Sequence, residues 1–301
     1  SGLKPVFVDV EKDTLNVNSD HLIKKINNKT KVIMLVHVLG NSTNVEKIKK
    51  ISQKKKIILI EDTCESLGAK FKNKYLGTFG DFGTYSFYYS HQITSGEGGM
   101  IVCDNQDDYD LLCSMRSHGW SRNLKSQKKI EKKYPKVDPK FTFINSGFNL
   151  RPTDITASIG HNQFKRLKKF IKIRKANSIK IKNALLKSKK WNNQFSFLKI
   201  NTNVTSSLFG FSIFINKKFL KKKKKFFELL DKEGVETRPI ISGNFLNQPA
   251  IKLFKLNKKN KKFPEAQKVE NLSFFIGLHS KNIRKETLNR LVNTLLKIET
   301  I

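Results

Sequence analysis

Apolar and polar positions in the first hundred residues switch repeatedly between strand and helix periods. Pro5 to Val10 alternates and then runs apolar like a buried strand, and Ser19 is placed to cap a helix over Asp20 to Ile26. Val32 to Val36 is a second apolar strand. Asn44 then precedes a helix carrying Ile48 and Ile51, and Ile57 to Ile60 forms a further strand that ends at Glu61-Asp62. Strands separated by helices of this length predict βαβ units and a parallel sheet covered on both faces. Gly83 to Phe87 and Met100 to Cys103 are two more strands, flanking a loop over 88–99. From Thr153, a Thr suited to capping, apolar residues at Ile155, Ile159, Phe164, Leu167 and Ile171 predict one long helix that leaves the first domain. Beyond about residue 195 the pattern mixes strands such as Leu208 to Ile215 with helices such as Phe226 to Lys232, as in a smaller α+β domain. The division expected is 1–165 and 166–301.

The 301 residues are 38% hydrophobic and include 23 Phe, enough for a large and a small packed domain. No run of about 18 uncharged apolar residues occurs, which argues against a membrane-spanning helix. The residues from Ser1 to Val10 run into a strand without a basic segment and apolar stretch, so the reading is a cytoplasmic protein. A net charge of +34 raises nucleic-acid binding as a function. Lysine greatly outnumbers arginine, however, and sits on amphipathic stretches such as Lys165 to Lys172 or in short runs such as Lys221 to Lys225. That pattern reads as a solvated face with a weak field for anionic substrates. Cys64, Cys103 and Cys113 are odd in number and lack Cys-x-x-Cys spacing, so neither a disulfide framework nor a four-thiolate iron–sulfur cluster is expected.

The chemistry concentrates between Ser86 and Gly99, in Ser-Phe-Tyr-Tyr-Ser-His-Gln-Ile-Thr-Ser-Gly-Glu-Gly-Gly. Ser86-Phe87, then a loop closing on Gly96 to Gly99, resembles the segment that carries the Schiff-base lysine in the nucleotide-sugar aminotransferases dependent on pyridoxal 5'-phosphate (PLP). Here that slot holds His91. Although the chain has 59 Lys+Arg, residues 75–124 contain no lysine. A covalently held cofactor requires a side-chain amine, and this window offers none. An imidazole titrating near neutrality can instead take a proton and pass one to a leaving hydroxyl.

The resemblance implies the fold type I architecture of aspartate aminotransferase and, through the lysine-to-histidine exchange, the family's sugar 3-dehydratase branch. Its cluster-free subtype uses glutamate to load the amino group, giving pyridoxamine 5'-phosphate (PMP). The expected substrate is a nucleotide-linked 4-keto-6-deoxyhexose, dehydrated at C3 on the way to 3,6-dideoxysugars of surface polysaccharides. Asp62, at a strand's carboxyl end, would pair with the pyridine nitrogen. Glu65 stands where the aminotransferases commonly carry Gln, near the cofactor's 3-oxygen; by itself it reads equally as a helix-start carboxylate. Ser86 would meet the cofactor phosphate. Arg116-Ser117-His118-Gly119-Trp120 would line the site, making His118 a substrate contact. In Gly147 to Asp154, Asn149 would reach the phosphate bound by a neighbouring subunit, which implies a homodimer. Arg238, in Glu236 to Ile240, offers a fork to a diphosphate or carboxylate, and Asn244 follows in Gly243-Asn244-Phe245. Family members carry a further stretch before the position of Pro5, including a Ser/Gly/Thr phosphate loop, so the sequence reads as part of a longer chain. The rival readings are an ordinary aminotransferase using a lysine from elsewhere, a non-catalytic nucleotide-sugar-binding relative, and a basic nucleic-acid-binding protein.

Overall fold

Three parallel strands bring their carboxyl ends to one edge. In the computed structural model, which describes residues 2–254 and 262–301, the first sheet runs in the order Val32–Val36, Ile58–Asp62, Phe82–Ser86, Gly99–Cys103. The first three are parallel, with Val36 opposite Asp62 and Asp62 opposite Thr84. The fourth returns antiparallel, setting Ser86 opposite Gly99 across the mouth of the 88–99 loop. On one face Ile33, Leu35 and Leu59 pack with Val45 and Ile48 of helix Val45–Lys55 and Leu22 of helix Ser19–Lys25. Burying this period-two stripe against amphipathic helices is what fixes the strand register.

The opposite face departs from the two-sided burial that the apolar runs predict. Met34, Val36, Ile58 and Ile101 stand exposed, so the described residues leave that face largely open. A continuous apolar strand reports that both faces are apolar, not which element covers each.

Three further expectations change. Pro5 to Val10 joins no sheet apart from a bridge between Val10 and Val17. Its Asp9 instead caps a distant helix, accepting from the Glu265 and Ala266 amides at 3.1 and 2.9 Å at the start of Pro264–Leu272. The first helix is capped by Asn18, whose side chain accepts from the His21 amide at 2.9 Å, with Ser19 already inside it. The single long helix is two, Asp154–Phe164 and Leu167–Leu186, separated by a tight turn in which the Arg166 amide bonds the Gln163 carbonyl. The turn lets Leu167 enter a buried cluster with Leu67 and Ile93, whereas Ile155 and Phe164 before it are exposed. Thr153 caps its helix as predicted, and Asn44, expected to precede a helix, also caps it.

The second sheet, Thr237–Arg238, Ser273–Gly277, Gly210–Ile215 and Phe195–Phe197, is antiparallel throughout. Every residue of Gly210–Ile215 is buried. Its core draws Ile181 and Leu185 from the long helix, Phe226 and Leu230 from Lys223–Lys232, and Leu295 from Lys285–Leu296. The two halves meet closely at Gly40, with φ +82°, where a Cβ would lie 2.0 Å from the Ser207 carbonyl oxygen. Only glycine accepts both that dihedral and that approach.

Candidate active site

The edge formed by the parallel strands is anchored from below by a buried pair. His37, just past Val36, donates from Nε2 to Glu61 Oε2 at 2.9 Å, and both side chains are almost completely buried. Glu61 also accepts from the amides of Gly77 (2.9 Å), Phe79 (2.6 Å) and Gly80 (2.7 Å). Burial works against this charge, yet the His37 hydrogen bond and charge, with the Gly77 and Gly80 amides, hold the carboxyl below the usual carboxylate range. The His37 amide bonds the Asp62 carbonyl at 2.9 Å, so the same pair sets the height of Asp62.

Asp62 therefore emerges at the strand end on a braced backbone. Its Oδ1 accepts from the Cys64 amide at 3.0 Å, which orients the carboxylate. Glu65 follows on the same turn, with Oε2 accepting from the Leu39 amide at 3.0 Å, and burial, with a smaller contribution from Asp62, pushes its carboxyl up to about 7. The Cys64 thiol, partly buried and beside Asp62, is pushed up to about 12, which removes it as a nucleophile at neutral pH.

His91 lies in the loop above. Its ring meets Tyr88 and Phe209 edge-on, with centroids 5.8 and 5.3 Å away. Nδ1 is buried without a partner. Burial lowers the imidazole pKa against the opposing pull of Asp62 and the Cys64 backbone, so the ring is neutral at pH 7 and able to accept a proton. Asp62, Glu65 and His91 are thus one electrostatic group. Ser86 ends its strand beside them, its hydroxyl accepting from the Tyr88 amide at 3.2 Å. Arg238 is exposed, holding Glu236 Oε1 through Nε at 2.9 Å and Nη2 at 2.6 Å, and interacts with Tyr89 of the same loop.

His118 and Asn149 form a second constellation. Their segments are knitted by a bridge between Ser117 and Asn149 and by a bond from the His118 amide to the Phe148 carbonyl at 2.8 Å. Gly119, with φ +90°, leaves 1.6 Å between an added Cβ and the Asn145 carbonyl oxygen, which explains glycine in that motif. Both side chains are exposed. Asn244 is different: it is buried, its Oδ1 capping the Leu246 amide at 3.2 Å and its Nδ2 donating to Gln267 Oε1 at 3.1 Å. An apolar cavity of about 1020 Å³, lined by Phe87, Ile93, Phe164 and Leu167 among others, includes none of Asp62, Glu65 and His91. The sequence pattern does not single out His37 and Glu61; the one signal is a polar residue at the end of each apolar strand.

These features fit a pyridine-ring cofactor: a carboxylate at the sheet edge, an imidazole nitrogen without a partner above it, and no lysine between residues 75 and 124. The chain resembles a GDP-4-keto-6-deoxy-D-mannose 3-dehydratase of Escherichia coli O55:H7, with 38% identity over 282 residues, 92% of this chain and 71% of that one. Its structure superimposes on the E. coli GDP-4-keto-6-deoxy-D-mannose-3-dehydratase with bound hydrated PLP at a TM-score of 0.83 and 35% identity, covering 96% of this chain and 73% of the other. A GDP-4-keto-6-deoxymannose-3-dehydratase with a trapped PLP-glutamate geminal diamine matches at a TM-score of 0.82 and 34% identity, over 96% and 74% of the two chains. The model of the DegT/DnrJ/EryC1/StrS aminotransferase family matches residues 1–296. With the sheet edge, the Asp62–Glu65–His91 group and this near-complete match in view, the chain belongs to the DegT/DnrJ/EryC1/StrS aminotransferase family.

Proposed function

We propose that this chain catalyses the PLP/PMP-dependent 3-dehydration of a nucleotide-linked 4-keto-6-deoxyhexose, with glutamate as amino donor. The observation that carries the reading is His91, a neutral imidazole with a partnerless Nδ1, in the slot of a Schiff-base lysine and within the field of Asp62. When bound, the cofactor supplies an electron-withdrawing ring and, as PMP, an amine able to join the sugar's C4 ketone. Asp62 holds the ring nitrogen protonated by charge pairing. His91 would accept on an imidazole nitrogen the proton given up by the cofactor's C4′ carbon and return it to the departing C3 hydroxyl as water forms, cycling between neutral and protonated rings. Glu65, with its carboxyl pushed up to about 7, would tune the protonation of the cofactor's 3-oxygen. Ser86 offers a hydroxyl to the cofactor phosphate, and Arg238 offers its fork to the substrate diphosphate or to glutamate's carboxylate. His118 is assigned to the substrate, while Asn244 serves to cap its turn.

Asn149 is assigned to the site of a second subunit, making the protein a homodimer with shared sites. Its exposed apolar neighbours Phe148, Leu150 and Ile155 favour a protein partner there. Residues 1–165 would form the cofactor-binding part and 166–301 the smaller part. No helix among the described residues is long and apolar enough to cross a membrane; the cytoplasm is the proposed location.

The test supplies the protein with PLP, glutamate and a GDP-linked 4-keto-6-deoxyhexose and looks for 2-oxoglutarate, ammonia and a 3-deoxy sugar. An aminated sugar would establish an aminotransferase in its place, and bound nucleotide sugar with no turnover would establish a binding protein. Borohydride treatment gives a second readout: PLP covalently fixed to the chain would refute the assignment of His91.

A further inference from the structure

The loop that carries His91 is held by a cation with no anion. Helix Leu167–Leu186 presents Arg174, whose guanidinium is partly buried and forms no ion pair among the described residues; burial alone lowers its pKa. Its three nitrogens reach three backbone carbonyls: Nη2 to His91 at 3.5 Å, Nη1 to Gln92 at 3.3 Å, and Nε to Leu278 at 3.0 Å. Burying an unpaired charge is costly, so such a residue persists where its geometry is needed. A planar fork can bind oxygens from separate segments at fixed relative positions, which a single-point ammonium cannot.

The loop's other ties run elsewhere. His91 and Ser95 donate their amides back to Tyr88 and Phe87, which shapes the loop without fixing it to the rest of the fold. Gln92, almost fully buried, donates from Nε2 to the carbonyls of Glu65 and Ser207. Leu278 directly follows strand Ser273–Gly277, and that strand pairs with Thr237–Arg238, placing Phe275 opposite Arg238. One guanidinium therefore joins the peptide of the imidazole base to the strand beside the candidate substrate arginine.

We infer that Arg174 is a positioning residue: it sets the height of His91 over Asp62 and couples the His91 loop to the sheet that bears Arg238. This rests on His91 acting as the base. Misplacing a reacting group by about 1 Å costs up to about 100-fold in rate without weakening ground-state binding.

The experiment compares Arg174→Met, Arg174→Lys and Arg174→Ala with the unaltered protein by amide hydrogen exchange, by NMR titration of the His91 ring, and by kcat and KM for dehydration. In Arg174→Met, exchange at residues 91–95 should accelerate at least about tenfold while strand Gly210–Ile215 stays protected. Dehydration kcat should fall roughly 10- to 100-fold with KM for the sugar nearly constant, and the His91 titration should move toward that of an exposed imidazole. Arg174→Lys should lie between, and added guanidinium ion should restore part of the lost kcat to Arg174→Ala. Equal acceleration of loop and strand, or unchanged loop exchange with unchanged kcat, would overturn the inference. If Arg174→Met does not fold, the lysine variant and guanidinium rescue decide by the same criteria. Full dehydratase activity in His91→Asn would refute the base assignment, while the exchange rates would still decide independently whether Arg174 clamps the loop.

Discussion

Glu61→Gln probes the anchor beneath the site, and its cost follows from the bonds it breaks. The carboxylate receives His37 Nε2–H and the Gly77 amide on Oε2, and the Phe79 and Gly80 amides on Oε1. Glutamine does best by keeping its oxygen on Phe79 and Gly80 and turning its NH2 toward His37 and Gly77. Without the carboxylate to hold its charge, His37 can answer as a neutral ring that turns a bare Nε2 to the glutamine NH2, because its Nδ1 has no partner to lose. Gly77 cannot, and its buried N–H then faces another N–H. Stranding that amide costs about 1–3 kcal/mol, and losing charge assistance on the two surviving bonds costs about 1 kcal/mol each, about 3–5 kcal/mol in total. Since the native carboxyl titrates below its ordinary value of 4.5, its stabilisation is complete above that value and lost as the pH falls through the lower native one. The variant should therefore be less stable at pH 7 by that amount and show a flatter acid limb. Urea unfolding from pH 3 to 8, followed by far-ultraviolet circular dichroism, measures both. A loss below about 1 kcal/mol at pH 7, or an unchanged acid limb, would refute the assignment of these four bonds to an ionised carboxylate.

Glu65→Gln should act in the opposite sense: with the native carboxyl pushed up to about 7, stability falls as pH rises from 4.5 through 7, a loss of about 3 kcal/mol that the variant lacks, visible as a flat denaturation midpoint over that range. His91→Asn should slow both glutamate-dependent formation of 2-oxoglutarate and dehydration roughly 100- to 10,000-fold, since both need a proton moved at the carbon this base serves, measured by single-turnover product analysis. Because burial lowers the His91 pKa, the acid limb of kcat should lie below the ordinary imidazole value of 6.5; a limb above it would contradict the buried ring. Gly119→Ala places a Cβ 1.6 Å from the Asn145 oxygen at a φ of +90°, so it should destabilise the protein by about 3 kcal/mol or more and abolish activity by separating His118 from Asn149. Thermal melts monitored beside turnover test both effects.

Much of the site is legible in the sequence because its signals are local. His91 stands out against a lysine-free stretch of a lysine-rich chain, and Asp62 is marked by the strand it terminates. Caps such as Asn44 and Thr153 are readable for the same reason, since each bonds an amide three residues away. Asp9 looks like part of a strand because its partners, Glu265 and Ala266, lie at the other end of the chain. His37, Glu61 and Arg174 stay hidden on the same ground, as nothing in the neighbouring sequence distinguishes a buried charge from a solvated one.

The sequence by itself determined the alternation of strands and helices, the three parallel strands of the first sheet and which functional group stands at position 91. Periodicity encodes which face of an element is apolar, and a motif encodes which functional groups are available. Tertiary structure decided what covers each face, where the long helix breaks, and which carbonyls a partly buried guanidinium joins. Those outcomes depend on packing and on hydrogen bonds between distant segments, where the cost of burying a polar group is settled only once its partner has been brought to it.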